Sequence, residues 1–359
     1  MVNSDENIKD ILQLTNIPVV RDRNYWLIRT ESGLYYLDFL LNGYVAIGWD
    51  NINIATIQKE NYSKIKGIVK ENYPKDNTPG RTANKLISFV NEIHEGDVVI
   101  IPSQNSEKAS IGIFIEENVY EDPMYIENQL KENTDSEIIP CPYHKRRRVK
   151  WLKSISKEGM DVYLSKLFNA HQAIYSANDY AQYINRNIYD MYISGDELHS
   201  VLHAGHPNGF SLKSLTDFVE FFNTAIDFIQ ETSDIVIDKE KIDMKINIHS
   251  PGLIEIISAG AFAALGISVL ILSLNNVLAG GKFKFNFKNP LTGNELSAET
   301  ESTGVLGKFN ERRLNDQQHH LEEQKIRMQF LQLQQSLQLK IPDTENADEK
   351  SPENDIDKA

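Results

Sequence analysis

SPGLIEIISAGAFAALGISVLILSLNNVLAGG, Ser250–Gly281, decides how the rest of the chain is read. No charged residue occurs from Ile256 to Gly281, although 25% of the protein is charged. Ser250 and Pro251 form a helix start, a capping hydroxyl followed by proline at the first helical position. Ile256–Leu274 is 19 residues of apolar or small character. As a helix it would extend about 28 Å, close to a hydrocarbon thickness of about 30 Å. A soluble helix of that length normally keeps a polar stripe, and this one has none. The stretch therefore predicts a transmembrane helix over 253–278, ended by Asn275, Asn276 and Gly280-Gly281. A buried helix of a soluble domain is the alternative. Gly260, Ala264 and Ser268 recur every fourth residue, the small-residue spacing that lets membrane helices pack closely.

Outward from this stretch, Lys239, Lys241 and Lys245 precede it and Lys282, Lys284 and Lys288 follow. The positive-inside count is a tie. Residues 308–341 read as one long helix, with Leu314, Leu321 and Met328 seven apart and Leu331 beside them. This imperfect heptad seam predicts an oligomerising helix and, with the small-residue face, a homo-oligomer. Residues 342–359 hold seven Asp/Glu against two Lys and read as a disordered acidic tail. Residues 1–24 read as a leader without the basic and apolar regions of a secretory signal.

The 359 residues are 41% hydrophobic, enough for two or three domains with sizeable cores. A formal charge of −14 argues against generic binding of nucleic acid or anionic lipid by the protein as a whole. The single cysteine, Cys141, rules out a disulfide framework within the chain.

Residues 25–154 read as a mixed domain. Strands are expected at YWLIRT, GLYYLDFL, YVAIGW, VVIIP, ASIGIFIEENVY and RRVKWLKSIS, with helices at NYSKIKGIVKEN and TANKLISFVNEIHEGD. Residues 155–235 read as a helical domain, clearest in the amphipathic GFSLKSLTDFVEFFNTAIDFIQET. Residues 236–307 hold the strand KIDMKINIHSP, the apolar stretch and the basic segment KFKFNFK. The fold class is thus α+β.

The order of these segments carries a resemblance. A W-x-I-R strand leads to VAIGW; a helix ending in Gly-Asp launches VVIIP; an Ile-Gly strand follows, and a basic R-x-V-x-W strand closes the set. This succession, over Tyr25–Leu152, resembles the EVE-like, PUA-superfamily domain that precedes the nuclease in some Mrr-type restriction enzymes. The resemblance implies a pseudobarrel that binds nucleic acid, a single-stranded oligonucleotide included, or a nucleotide. It implies an aromatic cage for a base, for which Trp26, Tyr36, Trp49 and Trp151 are the candidates, although barrel core is the competing reading for each. Trp49 stands out because it sits at a strand end beside Gly48. Lys145, Arg146, Arg147, Arg148, Lys150 and Lys153 are six cations in nine residues. They predict a phosphate-facing patch with Arg29 and Arg81 as neighbours; a solvated edge strand is the alternative.

The metal-nuclease signature of those enzymes does not recur: Asp238-Lys-Glu240-Lys241 lacks a preceding Asp strand, and Gln324-Lys325 falls on a helix. No enzyme activity, cofactor or metal is expected. Glu197, His199, His203 and His206 suggest a ligand cluster, but Gly205, Pro207 and Gly209 favour a strand near a turn with surface histidines. The layout resembles membrane effectors of bacterial anti-phage defence, including nucleotide- or DNA-gated channels. That resemblance implies an inner-membrane protein with a cytoplasmic sensor domain, an oligomeric pore, and a signal-producing enzyme of the same operon as partner. The alternative is a reader of modified DNA, soluble or membrane-tethered, working with a separate nuclease.

Overall fold

Ile254, Ile256 and Ser258 share one face of a strand, Gly252–Ala259, and Glu255 takes the other. In the computed structural model this strand lies inside a sheet, paired antiparallel with Glu197–Ala204 along its whole length and with Ile242–Ile246 on its other side. The structure describes residues 17–20, 22–132, 138–205, 211–232, 237–246, 252–260, 263–264, 266–268, 270–271, 274, 286–288, 295–297 and 309–341. They fall into two units, one built on Asp22–Ile188 and one on Met1–Arg21 with Tyr189–Asn346.

In the Tyr189–Asn346 unit the sheet order is Val19–Val20, Met191–Ser194, Glu197–Ala204, Gly252–Ala259, Ile242–Ile246, with Leu339–Lys340 also on Glu197–Ala204. After Ala259 the backbone turns at Gly260, whose φ of +84° is a left-handed conformation that a side chain would strain. Gly260 donates its N–H to the Asp196 carbonyl at 3.1 Å and accepts from Ala264 N–H at 3.0 Å. The described residues from 263 to 274 are then helical. Ile256, Ile267, Leu270 and Ile271 are fully buried in one core with Phe218, Phe221 and Phe222 of the helix Leu212–Thr232. Ile326, Phe330, Leu333 and Leu337 of the helix Phe309–Leu337 complete it.

This overturns the transmembrane helix over 253–278. Among its described residues, the apolar run is a sheet-interior strand, a glycine turn and helical core residues, two buried elements in series where one span was expected. Each is apolar because it is covered by protein, so no polar stripe appears. Among the described residues no helix is long and apolar enough to cross a membrane. Gly260, Ala264 and Ser268 are corrected with it: Gly260 is the turn, and Ala264 and Ser268 are buried within the chain's own core. Residues 275–281 and the acidic tail 342–359 lie outside the described residues. In the last helix the core-facing residues are Ile326, Phe330, Leu333 and Leu337, while Leu321 and Met328 of the heptad seam are exposed and Leu331 packs half-buried on the core.

The helical middle is corrected too. Between residues 155 and 235 lie the strands Ile174–Ser176, Met191–Ser194 and Glu197–Ala204 beside the helices Val162–Leu167, Ala181–Ile188 and Leu212–Thr232. ELHSVLHA is a buried strand, and a short buried strand has no periodicity to distinguish it from helix. Its His199 is buried, stacked on Tyr192 with ring centroids 4.5 Å apart, with Nδ1 2.9 Å from Glu255 Oε1 and Nε2 3.5 Å from Glu197 Oε2. His203 is half-exposed, 3.1 Å from Asp190. His206 lies outside the described residues.

In the Asp22–Ile188 unit a curled sheet runs Tyr44–Ile47, Lys145–Ser156, Lys108–Phe114, Val98–Pro102, Tyr25–Ile28, Ile174–Ser176. Tyr25–Ile28 and Val98–Pro102 are parallel, and every other pair in that order is antiparallel. The 12-residue strand Lys145–Ser156 bends to serve two neighbours. Its first four residues pair with Tyr44–Ile47 and the rest with Lys108–Phe114, with a register shift at Ile111/Gly112. Such a bulge bends the strand and increases its twist. Gly112 is required there, because a Cβ would sit 2.5 Å from Val149 Cγ1 and 2.8 Å from Trp151 Cε3. GLYYLDFL is not a strand: Tyr36–Asn42 is helical and buries Tyr36 and Phe39, three apart on one face. The helices Ile54–Lys59, Tyr62–Asn72 and Pro79–Ile87 follow, the first two capped by the Asn53 and Asn61 side chains. The last continues as a π-helical turn, Ser88–Glu92.

Candidate ligand-binding cleft

Three of the four aromatic candidates are core. Trp26 is buried and donates Nε1–H to Asp97 Oδ2 at 2.9 Å; the same carboxylate accepts from Asn24 and His94 N–H. The Gly-Asp signal before VVIIP is thus a junction that ties Trp26 to the sheet. Trp151 is buried, with Nε1–H donating to the Phe39 carbonyl at 2.9 Å. Tyr36 is buried with its hydroxyl 2.7 Å from Ser110 Oγ. The four aromatics do not form one cage, and Trp49 alone among them reaches the surface.

The basic run divides in the same way. On a strand alternate side chains face opposite sides, but here three successive cations at the start of the strand, paired with Val45–Ile47, are each less than 2% exposed: Lys145, Arg146 and Arg147. Arg147 donates to the carbonyls of Phe89 at 2.7 Å, Val90 at 3.1 Å and Glu117 at 3.0 Å. Phe89 and Val90 lie in the π turn, where the wide spacing of the turn leaves carbonyls to be satisfied from outside. Burial pulls the Arg147 guanidinium down to about 10, against the raising influence of Glu117 and Asp97. Arg146 lies over the rings of Tyr44 and Tyr125, 4.1 and 3.6 Å from their centroids, and donates to the Cys141 carbonyl at 2.8 Å. Beside it, buried Asp38 accepts from the hydroxyls of Tyr44 and Tyr125 and from Cys141 N–H. Burial pushes the Cys141 thiol up to about 12, so it is a packing group rather than a nucleophile. This buried polar knot carries no short motif and was not legible in the sequence.

Arg148 and Lys150 are exposed, Arg148 3.4 Å from Glu116 and over the Tyr120 ring. Arg29 donates to the carbonyls of Phe168 and Ala170 just beyond the helix Val162–Leu167. Arg81 is exposed in the first turn of Pro79–Ile87. The patch expected from nine residues of sequence is therefore thinned to its exposed members, Arg148, Lys150 and Arg81.

What the fold builds instead is an open cleft of roughly 570 Å³ around Trp49, lined by Asn72, Tyr73, Pro74, Lys75, Asp76, Thr78, Thr82 and Lys85. The volume lies within the range of small-ligand sites. Trp49 is half-buried and holds a left-handed φ of +61°. For a non-glycine residue this conformation costs about 1–3 kcal/mol, and such positions cluster at functional sites. Lys85 Nζ lies 5.3 Å from the Trp49 ring centroid, a cation–π distance. Asp76 accepts from Thr78 N–H at 2.7 Å and from Thr82 Oγ at 2.6 Å, and these bonds hold its carboxyl below the usual range. Tyr73 accepts Asn51 N–H at 3.0 Å, joining the cleft wall to the Trp49 loop. Lys85, Tyr73 and Asp76 were missed from sequence; Asp76-Asn77-Thr78 before Pro79 is the turn pattern that could have marked Asp76.

Residues 26–176 match a family model described as a domain of unknown function (DUF8426). No curated protein and no solved structure matches the chain.

Proposed function

We propose that this chain is a reader of nucleic acid, with the Asp22–Ile188 unit holding a base of a single-stranded or unpaired segment in the Trp49 cleft. The observation that carries the reading is the strained, partly buried Trp49, packed on the core of its unit, with a lysine amine near its ring. An indole at the surface offers a π-face on which any base stacks. Lys75 and Lys85 at the rim supply charge for a neighbouring phosphate, and Asn72, whose amide donates to the Ile68 carbonyl at 3.0 Å, keeps its carbonyl oxygen and a second N–H for a base edge. The resemblance of the strand order to base-reading domains agrees with this use of the cleft. The membrane-pore reading loses its basis with the transmembrane helix and is set aside.

The test is fluorescence anisotropy of a short fluorescein-labelled, mixed-sequence single-stranded DNA. Trp49→Ala is expected to raise Kd about 5- to 150-fold, from a stacking contribution of about 1–3 kcal/mol per base. An unchanged Kd in a folded variant would refute the cleft as the site.

A further inference from the structure

Lys145 is fully buried, and its amine has two partners, both in the loop that carries Trp49. Nζ donates to the Trp49 carbonyl at 3.0 Å and to Asp50 Oδ1 at 3.1 Å. The same Asp50 oxygen accepts His144 N–H at 3.1 Å, so the first residue of the long strand and the residue just before it grip one loop. Ile52 N–H, at 3.1 Å, also donates to the Trp49 carbonyl. A left-handed tryptophan persists only where its surroundings over-determine it, and a buried ammonium on its own carbonyl is such a constraint.

We infer that Lys145 is a positioning residue for the ligand cleft: its buried ammonium, shared between the Trp49 carbonyl and Asp50, holds the indole ring in its base-stacking attitude. The role rests on the proposed reading of the cleft, but the clamp itself can be measured without ligand. A cation read from sequence as facing phosphate thus acts from inside the fold. The ammonium makes three donors available, and a thioether of similar length makes none, so Lys145→Met removes the clamp while filling the space.

The experiment compares wild type, Lys145→Met and Asp50→Asn. Trp26 and Trp151 are 7% and 5% exposed, so acrylamide quenching of tryptophan emission reports chiefly on Trp49. Lys145→Met is expected to alter that quenching in the free protein. It is also expected to raise the Kd for the fluorescein-labelled DNA roughly tenfold, the scale of losing a supporting contact behind a binding group, with far-UV circular dichroism unchanged. Asp50→Asn keeps an acceptor for Lys145 and is expected to move both readouts in the same direction by less; it also carries the test if Lys145→Met does not fold. A folded variant with wild-type quenching and wild-type Kd would overturn the inference. Altered quenching in Lys145→Met, with DNA affinity insensitive even to Trp49→Ala, would leave the clamp standing and refute the reading of the cleft. A lower melting temperature with both readouts unmoved would assign Lys145 to stability alone and would equally overturn it.

Discussion

Arg147→Ala is expected to destabilise the Asp22–Ile188 unit by about 3–5 kcal/mol, measured as the urea-unfolding free energy. The guanidinium donates to three carbonyls, those of Phe89, Val90 and Glu117, and is only 1% exposed. Truncation leaves those acceptors without their donor in a buried site. Each buried acceptor so abandoned costs about 1–3 kcal/mol, less where water can enter the space left behind. Arg148→Ala is the control. Its side chain is half-exposed and its contact to Glu116 is a surface ion pair at 3.4 Å, so its stability should change by no more than about 0.5 kcal/mol. If Arg147→Ala instead folds with wild-type stability and binds DNA more weakly, the strand presents its arginines to phosphate after all.

Ile256→Ala is expected to cost about 2–5 kcal/mol in the other unit. Ile256 is fully buried on the core-facing side of a sheet-interior strand, opposite Ser200 and Met244 in register. The cavity left by the lost side chain would lie among packed helices that relax only in part. A lipid-facing isoleucine of a membrane span would show no comparable loss in urea, because lipid fills the space. The same comparison separates Ala264→Leu, which here overpacks a core and should lower stability by about 1–3 kcal/mol.

Several elements were legible in the sequence where periodicity or composition is distinctive. Leu212–Thr232 lies where its helical spacing places it and Lys145–Ser156 covers the expected alternation, while Val98–Pro102 was marked by a continuous apolar run and Phe309–Leu337 by a Gln- and Leu-rich composition without Gly or Pro. Failures arose where burial removes the polar residues on which periodicity depends. Gly252–Ala259 and the helical residues after it merge into one apolar run, and only Glu255 and Gly260 hint at the break. Glu255 stands before the uncharged part of that run, and Gly260 there also fits a small-residue helix face. Tyr36–Asn42 is rich in aromatics yet helical, since Tyr36 and Phe39 stand three apart. In the cleft, Trp49 was legible because a tryptophan beside a glycine at a strand end is exposed more readily than one within a strand. Its neighbours Tyr73, Asp76 and Lys85 come from the end of one helix, the turn after it and the next helix, and nothing in one dimension brings them to Trp49. The basic run shows the opposite error. Charge density marks cations but not the direction they face, and carbonyl, carboxylate and ring partners hold Lys145, Arg146 and Arg147 inside the fold.

The central claim, that a base stacks on Trp49, is tested most directly by intrinsic fluorescence during titration with the single-stranded DNA. The protein has three tryptophans, and Trp49 is the least buried of them. Stacking predicts quenching that saturates at the Kd obtained from anisotropy and disappears in Trp49→Phe, which keeps a ring to bind with but no indole to report. Saturable anisotropy with tryptophan emission unchanged in the wild-type protein would contradict it.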